Sequence, residues 1–204
     1  MKIDPKDLNY KNITISGKIC TGTSTLTNQL KSKLGWKSWS GGEFFRDYTK
    51  KHNLKLEEAN TRPEEISRKV DHGMRKRLKK EKGLILEAWL SGFVAQGVKD
   101  VLKVLLVCTD DLRVDRFVNR ENLSVQEAVH LITKREEGNS QKWVRMYTDE
   151  WDDWVVKNDM ADEDDPIDFW DPRLYDLIID TYSNSSEETL QKVLNKLGIT
   201  NSSS

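Results

Sequence analysis

Short apolar runs alternate with longer segments of helical period along the chain. The runs are rich in Ile, Val and Leu, which is typical of strands that are buried on both faces of a sheet. They are ITIS (13–16), WKSWS (36–40), LILEAW (84–89), KVLLVC (103–108) and YDLIID (175–180). This alternation of strands and helices predicts an α/β fold with a mainly parallel sheet.

The segments between the strands carry helix signals. Ile66, Val70, Met74 and Leu78 recur every fourth residue, so they share one face of a helix. Two capping boxes also occur, in which a serine stands three positions before a glutamate and opens a helix. The boxes pair Ser124 with Glu127 and Ser185 with Glu188.

Composition narrows the class of protein. The 204 residues suffice for one domain, 1–204, with a sizeable core. The net charge of −1 provides no basic field of the kind that nucleic-acid binding requires. The two cysteines, Cys20 and Cys108, lack metal-type spacing and fit a reducing compartment. The N-terminus is polar, and no run approaches the roughly 20 apolar residues of a membrane span. We therefore expect a cytoplasmic monomer that binds neither nucleic acid nor membrane.

The stretch GKICTGTSTL (17–26) has the shape of a phosphate-binding loop without its lysine. In the pattern G-x-x-x-x-G-K-[ST], Gly17 and Gly22 are correctly spaced and Ser24 is the Mg²⁺-binding hydroxyl, but Thr23 takes the lysine position. Backbone N–H groups of such a loop converge on phosphate oxygens at a helix N-terminus. Lys18, inside the loop, is a candidate for the missing cation. The plainer interpretation is an ordinary strand-to-helix turn.

Two further stretches are candidates for anion binding. SGGEFFRDY (40–48) places two glycines before Arg46, whose guanidinium suits bidentate phosphate binding. A surface helix with a solvated arginine is the alternative. After the fourth strand, cations recur along a predicted helical lid, although a solvent-exposed face with ion pairs explains the same spacing. These cations are Arg113, Arg116, Arg120, Arg135, Lys142 and Arg145.

Residues 149–171 (DEWDDWVVKNDMADEDDPIDFWD) form a strongly acidic stretch that contains three tryptophans. One interpretation is a solvated surface insertion whose tryptophans pack back onto the body of the protein. The other is a lid element or a segment that binds a partner.

Six motifs resemble, in this order along the chain, the cytidylate kinase-like branch of the nucleoside monophosphate kinases, and above all its archaeal type. They are GKICTGTSTL, SGGEFFR, LILEAWLSG, RVDRFVNRE, KRE and YDLIIDT, and the resemblance runs from about residue 12 to 198. The loop of that type reads G-x-x-G-x-G-T-T-T, so threonine replaces the lysine there too. The resemblance implies a three-layer P-loop kinase fold with a five-stranded parallel sheet of order 2-3-1-4-5, helices on both faces and a mobile lid. It also implies transfer of the γ-phosphoryl group of ATP, with Mg²⁺, to CMP or dCMP.

The resemblance also assigns roles along the chain, with an NMP-binding segment at about 40–80 and a lid at about 112–147. The ATP phosphates would be held by Gly17, Lys18, Ile19, Cys20, Thr21, Gly22, Thr23, Ser24 and Thr25, with Ser24 also on Mg²⁺. The acceptor would be bound by Ser40, Gly41, Gly42, Arg46, Asp71, Trp89, Ser91 and Gly92. The transferring phosphate would be enclosed by the catalytic cations Arg116, Arg120, Arg135 and Lys142.

The chain departs from the family pattern at three places. Trp89 replaces the arginine of the E-G-R-L-S-G motif, which contacts the acceptor phosphate. Lys142-Trp143 stands where the family has an arginine-tyrosine pair, so the charge is kept without the bidentate fork. The acidic stretch 149–171 has no counterpart in compact members. These departures leave two alternatives open: a kinase of another small-molecule acceptor, and a nucleotide-binding protein without catalysis.

Overall fold

A computed structural model describes residues 3–200 and contains a sheet of five strands. The strands are β1 (Asn12–Gly17), β2 (Lys37–Ser40), β3 (Leu84–Glu87), β4 (Val101–Val107) and β5 (Leu177–Asp180). All neighbours pair in parallel, in the order β2-β3-β1-β4-β5. The predicted sheet and its order are therefore confirmed.

Eight α-helices connect and flank the strands within residues 3–200. They are α1 (Thr23–Leu34), α2 (Gly41–Lys51), α3 (Glu64–Lys80), α4 (Ser91–Val94), α5 (Asp110–Glu121), α6 (Val125–Met146), α7 (Thr148–Trp154) and α8 (Ser186–Leu197). Both predicted capping boxes are present and open α6 and α8. In the described part of the chain, no helix combines the length and the apolar character needed to cross a bilayer.

The core lies on both faces of the sheet, as the three-layer prediction requires. On one face, α1 and α8 pack their leucines, such as Leu30 and Leu194, against Ile13 and Ile15 of the central strand. On the other face, α3, α4, α6 and α7 cover the sheet. Because β1 lies at the centre with its side chains buried, its carboxyl end delivers the loop that begins at Gly17 to the middle of one sheet edge.

The acidic stretch after α6 contributes aromatic side chains to this second core. Trp151 and Phe169 are 4% and 1% exposed, and the Phe169 ring lies edge-on to Phe93 with centroids 4.9 Å apart. The acidic side chains of the stretch pair with cations at the surface instead. Asp153, for example, pairs with Lys157. The tryptophans therefore pack onto the body of the protein, as the first interpretation of the stretch predicts.

Replacing Phe169 with alanine is expected to lower the free energy of unfolding by about 3–5 kcal/mol, because a buried ring is lost and a cavity remains. Urea unfolding measures the change, and Tyr182→Ala, at a residue that is 66% exposed, is the control. A loss below about 1 kcal/mol would show that the stretch packs loosely and is not part of the core.

Candidate active site

The loop between β1 and α1 has the backbone of an anion-binding site. A Cβ at Gly17 would lie 2.3 Å from Thr21 Oγ1 and 2.8 Å from the Leu106 carbonyl oxygen, so only glycine fits there. Gly22 has φ +98° and caps α1 without any side-chain hydrogen bond. The first N–H groups of α1 are therefore available to a bound anion, which the helix dipole also favours.

Glu87, at the end of β3, joins this loop to the start of α2. Thr23 Oγ1 donates a hydrogen bond to Glu87 Oε1 at 2.8 Å, and Ser40 Oγ donates to Glu87 Oε2. Ser40 also caps α2 by accepting from the Glu43 N–H. The two predicted anion-binding stretches are thus held together by one buried carboxylate.

Lys18 lies beside the loop and over an aromatic ring. Its Nζ is 5.5 Å from the centroid of Trp170, a residue of the acidic stretch. None of the ion pairs within residues 3–200 involves Lys18. Lys18 lines two cavities: the main one, described next, and a further one that Trp170 also lines.

A cavity opens between the loop, α2, α3 and α6. Four arginines line it: Arg46, Arg62, Arg120 and Arg135. Burial is the main cause that lowers the pKa of Arg135, the charges of the other three arginines add to it, and the pKa comes to about 10. Such a concentration of positive charge is suited to a ligand that carries several negative charges.

The part of this cavity next to α3 combines apolar side chains with one buried acid. Asp71 accepts a hydrogen bond from the hydroxyl of Tyr147, and burial raises the pKa of Asp71 to about 7, against the lowering effect of that bond. Near neutral pH the carboxyl group therefore exists in both protonation states. Phe45, Val70 and Trp143 line the cavity nearby and offer apolar surface to a flat ring.

The structure brings most of the predicted site residues to this one cavity. Those that line it are Lys18, Ile19, Cys20, Thr23, Ser24, Gly41, Gly42, Arg46, Asp71, Trp89, Arg120 and Arg135. Gly17 and Thr21 shape the loop behind the cavity. Ser40 does not line the cavity, but its hydroxyl donates a hydrogen bond to Glu87, which does. Gly22 and Thr25 line a second cavity on the other side of the loop.

Two of the predicted catalytic cations lie outside the main cavity. Arg116 lines the second cavity, where its guanidinium donates to the Cys20 carbonyl and to Thr181 at 3.0–3.1 Å. Lys142 is buried, and its Nζ donates to the carbonyl oxygens of Ala59 and Arg62. Both cations therefore bond to carbonyl and hydroxyl oxygens of the protein, and their contact with the transferring phosphate stays a prediction.

Two of the predicted acceptor residues also lie outside it. Ser91 Oγ is within 3.0 Å of Ser16 Oγ and of the Ile15 carbonyl oxygen, which ties α4 to β1. A Cβ on Gly92 would lie 2.2 Å from the Tyr175 ring, so this glycine allows close packing. The neighbours of both residues are the sheet and Tyr175, on the core side of α4, and their role in binding the acceptor stays a prediction.

The residues that line the cavity without having been predicted include three polar or charged ones, Glu87, Arg62 and Asn139. Glu87 ends an apolar strand on a charged residue, and this is a signal that the sequence contains. Arg62 and Asn139 carry no such signal, because their contact joins residues that are 77 positions apart.

The fold and the site together define a kinase of the P-loop type. A solved gluconokinase from Sinorhizobium meliloti shares the fold, with a TM-score of 0.54 at 9% identity over 93% of each chain. The sequence is also similar to curated cytidylate kinases of archaea. The relative from Thermoplasma volcanium is 30% identical over 91% of this chain and 90% of its own length. The relative from Pyrococcus abyssi is 32% identical over 86% and 87%.

A sequence model of the cytidylate kinase-like family matches residues 12–183. The chain belongs to the cytidylate kinase-like family. Membership confirms the resemblance of the six motifs and the class of enzyme that it implies, a nucleoside monophosphate kinase.

Proposed function

We propose that this protein transfers the γ-phosphoryl group of ATP to CMP or dCMP. The observation that carries the proposal is the convergence of Arg46, Arg62, Arg120 and Arg135 on one cavity, opposite the glycine-rich loop. Phosphoryl transfer needs little covalent chemistry from a protein. It needs in-line positioning and compensation of the charge on the phosphoryl oxygens.

The loop would hold the ATP phosphates through the N–H groups at the start of α1, with Lys18 beside them. The arginines would take the acceptor phosphate and the transferring group. Because the cavity lies between α6 and the body of the protein, closure around both substrates would exclude water that otherwise hydrolyses ATP.

The residues at the loop fit the Mg²⁺ that accompanies ATP. The Ser24 hydroxyl and the Glu87 carboxylate are hard oxygen donors that line the same cavity. Within residues 3–200, no cluster of three or more acidic, histidine or cysteine side chains is placed to hold a metal alone. Mg²⁺ usually takes one or two protein oxygens together with phosphate oxygens and water. Ser24 and Glu87 would therefore hold it, and it would neutralise part of the phosphate charge.

Asp71 supports a cytosine acceptor over uracil. A carboxylate oxygen accepts a hydrogen bond from the exocyclic amino group of cytosine, and uracil lacks that group. The apolar residues Phe45, Val70 and Trp143 would pack against the ring. The relatives named cytidylate kinase point to the same acceptor.

The test is ADP release from ATP–Mg²⁺ with CMP, dCMP, UMP, AMP or GMP, each compared with a control that lacks the acceptor. We expect release that depends on the acceptor and is fastest with CMP or dCMP. If none of the five acts as acceptor, the proposal fails. Calorimetric titration with ATP then tests the two alternatives together: tight binding without turnover favours another acceptor or a non-catalytic role, and no binding of ATP rejects both.

A further inference from the structure

Arg62 is a buried cation without an anionic partner among residues 3–200. It follows a short 3₁₀ helix, Ala59–Thr61, and its side chain lines the main cavity although the residue is only 6% exposed. Its Nη1 donates to the Leu56 carbonyl at 2.9 Å and its Nη2 to Asn139 Oδ1 at 2.6 Å. The Nε–H has no hydrogen-bond partner within residues 3–200.

Burial of this guanidinium is unfavourable in the protein alone. Both of its acceptors are neutral, and no carboxylate of the described residues forms an ion pair with it. The charge of Arg62 also lowers the pKa of Arg135 and of Lys142, which are cations as well. Burial accordingly lowers the pKa of Arg62. A desolvated cation among like charges is stabilised when an anion enters the cavity.

The surrounding structure nevertheless fixes Arg62 in place. Lys142 Nζ donates a hydrogen bond to the carbonyl oxygen of Arg62, and Asn139 Oδ1 accepts one from Arg62 Nη2. Both of these residues belong to α6, so the helix that carries Arg135 also holds Arg62. On the other side, the guanidinium lies 5.5 Å from the centroid of the Phe45 ring, next in sequence to Arg46. An arginine held so firmly is preorganised for a ligand.

Trp89 explains why a guanidinium is needed at this place. The family motif has arginine at this position, where it contacts the acceptor phosphate, whereas here an indole lies 5.2 Å from the guanidinium of Arg135. The cavity has therefore lost one cation at the end of β3. Arg62 supplies a cation to the same cavity from the segment before α3.

We propose that Arg62 binds the phosphate group of the acceptor nucleotide and replaces the arginine that is missing at Trp89. The proposal rests on the proposed function, since it assumes a nucleoside monophosphate as acceptor. It assigns Arg62 to the phosphate and leaves the base to Asp71. An Arg62 that contacts the base instead is an outcome that the test separates.

The test compares CMP with cytidine, which lacks the phosphate, in the wild type and in Arg62→Met. We expect the KM for CMP and the calorimetric Kd for CMP to rise about 10- to 100-fold, which is the effect of losing a charged hydrogen bond. The affinity for cytidine and the KM for ATP should stay within about twofold. Arg77→Met, which removes an arginine at the half-exposed pair with Glu81, is the matched control.

A second variant tests the replacement itself. Trp89→Arg in the Arg62→Met background is expected to recover most of the affinity for CMP, because it returns a guanidinium to the end of β3. If Arg62→Met does not fold, Arg62→Lys keeps the charge without the fork. Arg62→Lys should then raise the Kd for CMP about tenfold and leave the Kd for cytidine unchanged.

Three outcomes would overturn the proposal: an unchanged affinity for CMP, an equal loss for CMP and cytidine, or no binding of CMP to the wild type. The last would overturn the proposed function as well. A fourth result separates the two proposals: the wild type binds CMP without phosphorylating it, and Arg62→Met weakens the binding of CMP but not of cytidine. The proposed function then fails, and the role of Arg62 stands.

Discussion

Replacing Arg135 with methionine is expected to lower kcat by about 10³-fold, with little change in the KM for ATP. The guanidinium lies in the main cavity together with Arg46, Arg62 and Arg120, opposite the loop that would hold ATP. A cation in this position compensates charge that develops on the phosphoryl oxygens during transfer. Its effect is therefore larger in the transition state than in the bound substrate.

The same substitution should not destabilise the protein. Arg135 is desolvated and is repelled by three other arginines, and these causes lower its pKa to about 10. Methionine removes the repulsion and the desolvated charge, and this gain offsets the loss of the cation over the Trp89 ring. We therefore expect urea unfolding to give a free energy equal to or above that of the wild type. A loss of activity with retained stability is the signature of a functional role.

Two comparisons make the Arg135 prediction specific. Arg145→Met changes the same residue type on the same helix, α6, at an exposed position, and should leave kcat unaltered. Arg135→Lys keeps the charge but loses the bidentate fork and should give an intermediate rate. Unchanged turnover in Arg135→Met, or a similar loss in Arg145→Met, would contradict the role.

The sheet, its order and the helix caps could be predicted because each depends on a local pattern. The runs 13–16 and 103–108 are short and rich in Ile, Val and Leu, and they form the central strands β1 and β4. Ser124 and Ser185 cap their helices through glutamates three positions away. The strand order itself came from the resemblance of the motifs, since periodicity alone does not specify which strands are neighbours.

The site could be predicted only in part, because its remaining contacts join distant segments. Lys142 matched a motif position, yet its Nζ bonds to carbonyl groups that lie 80 and 83 residues earlier in the chain. Arg116 likewise shares a helix face with Arg120, which lies one turn further along α5. The two side chains nevertheless line different cavities. Spacing identifies residues on one face, and packing decides what that face meets.

The second large effect is expected at Lys18, because Thr23 takes the position of the usual lysine in the loop. Replacing Lys18 with methionine is expected to lower kcat/KM for ATP about 10²-fold, because Lys18 would supply the cation that the loop otherwise lacks. Its ammonium lies at the loop, 5.5 Å from the ring centroid of Trp170. Lys33→Met, at an exposed residue near the end of α1, is the matched control and should have no effect.

Introducing the usual lysine should not restore the activity of Lys18→Met. The Thr23 hydroxyl donates to Glu87, which is buried and accepts no hydrogen bond from a cation of the described part of the chain. A lysine at position 23 would therefore pair with that carboxylate. Its ammonium would then be drawn away from the phosphates, and the link from Glu87 to Ser40 would be disturbed. Recovery of the rate by Thr23→Lys would contradict this account.

Trp170 connects the loop to the acidic stretch, and its replacement tests that connection. Trp170→Leu removes the ring face that holds the Lys18 ammonium, so kcat/KM for ATP should fall severalfold, less than with Lys18→Met. In the Lys18→Met background the same change should have no further effect on ATP, because the cation that the ring holds is gone. Equal losses in both backgrounds would show that Trp170 acts through packing alone, and that the acidic stretch serves the core without serving the loop.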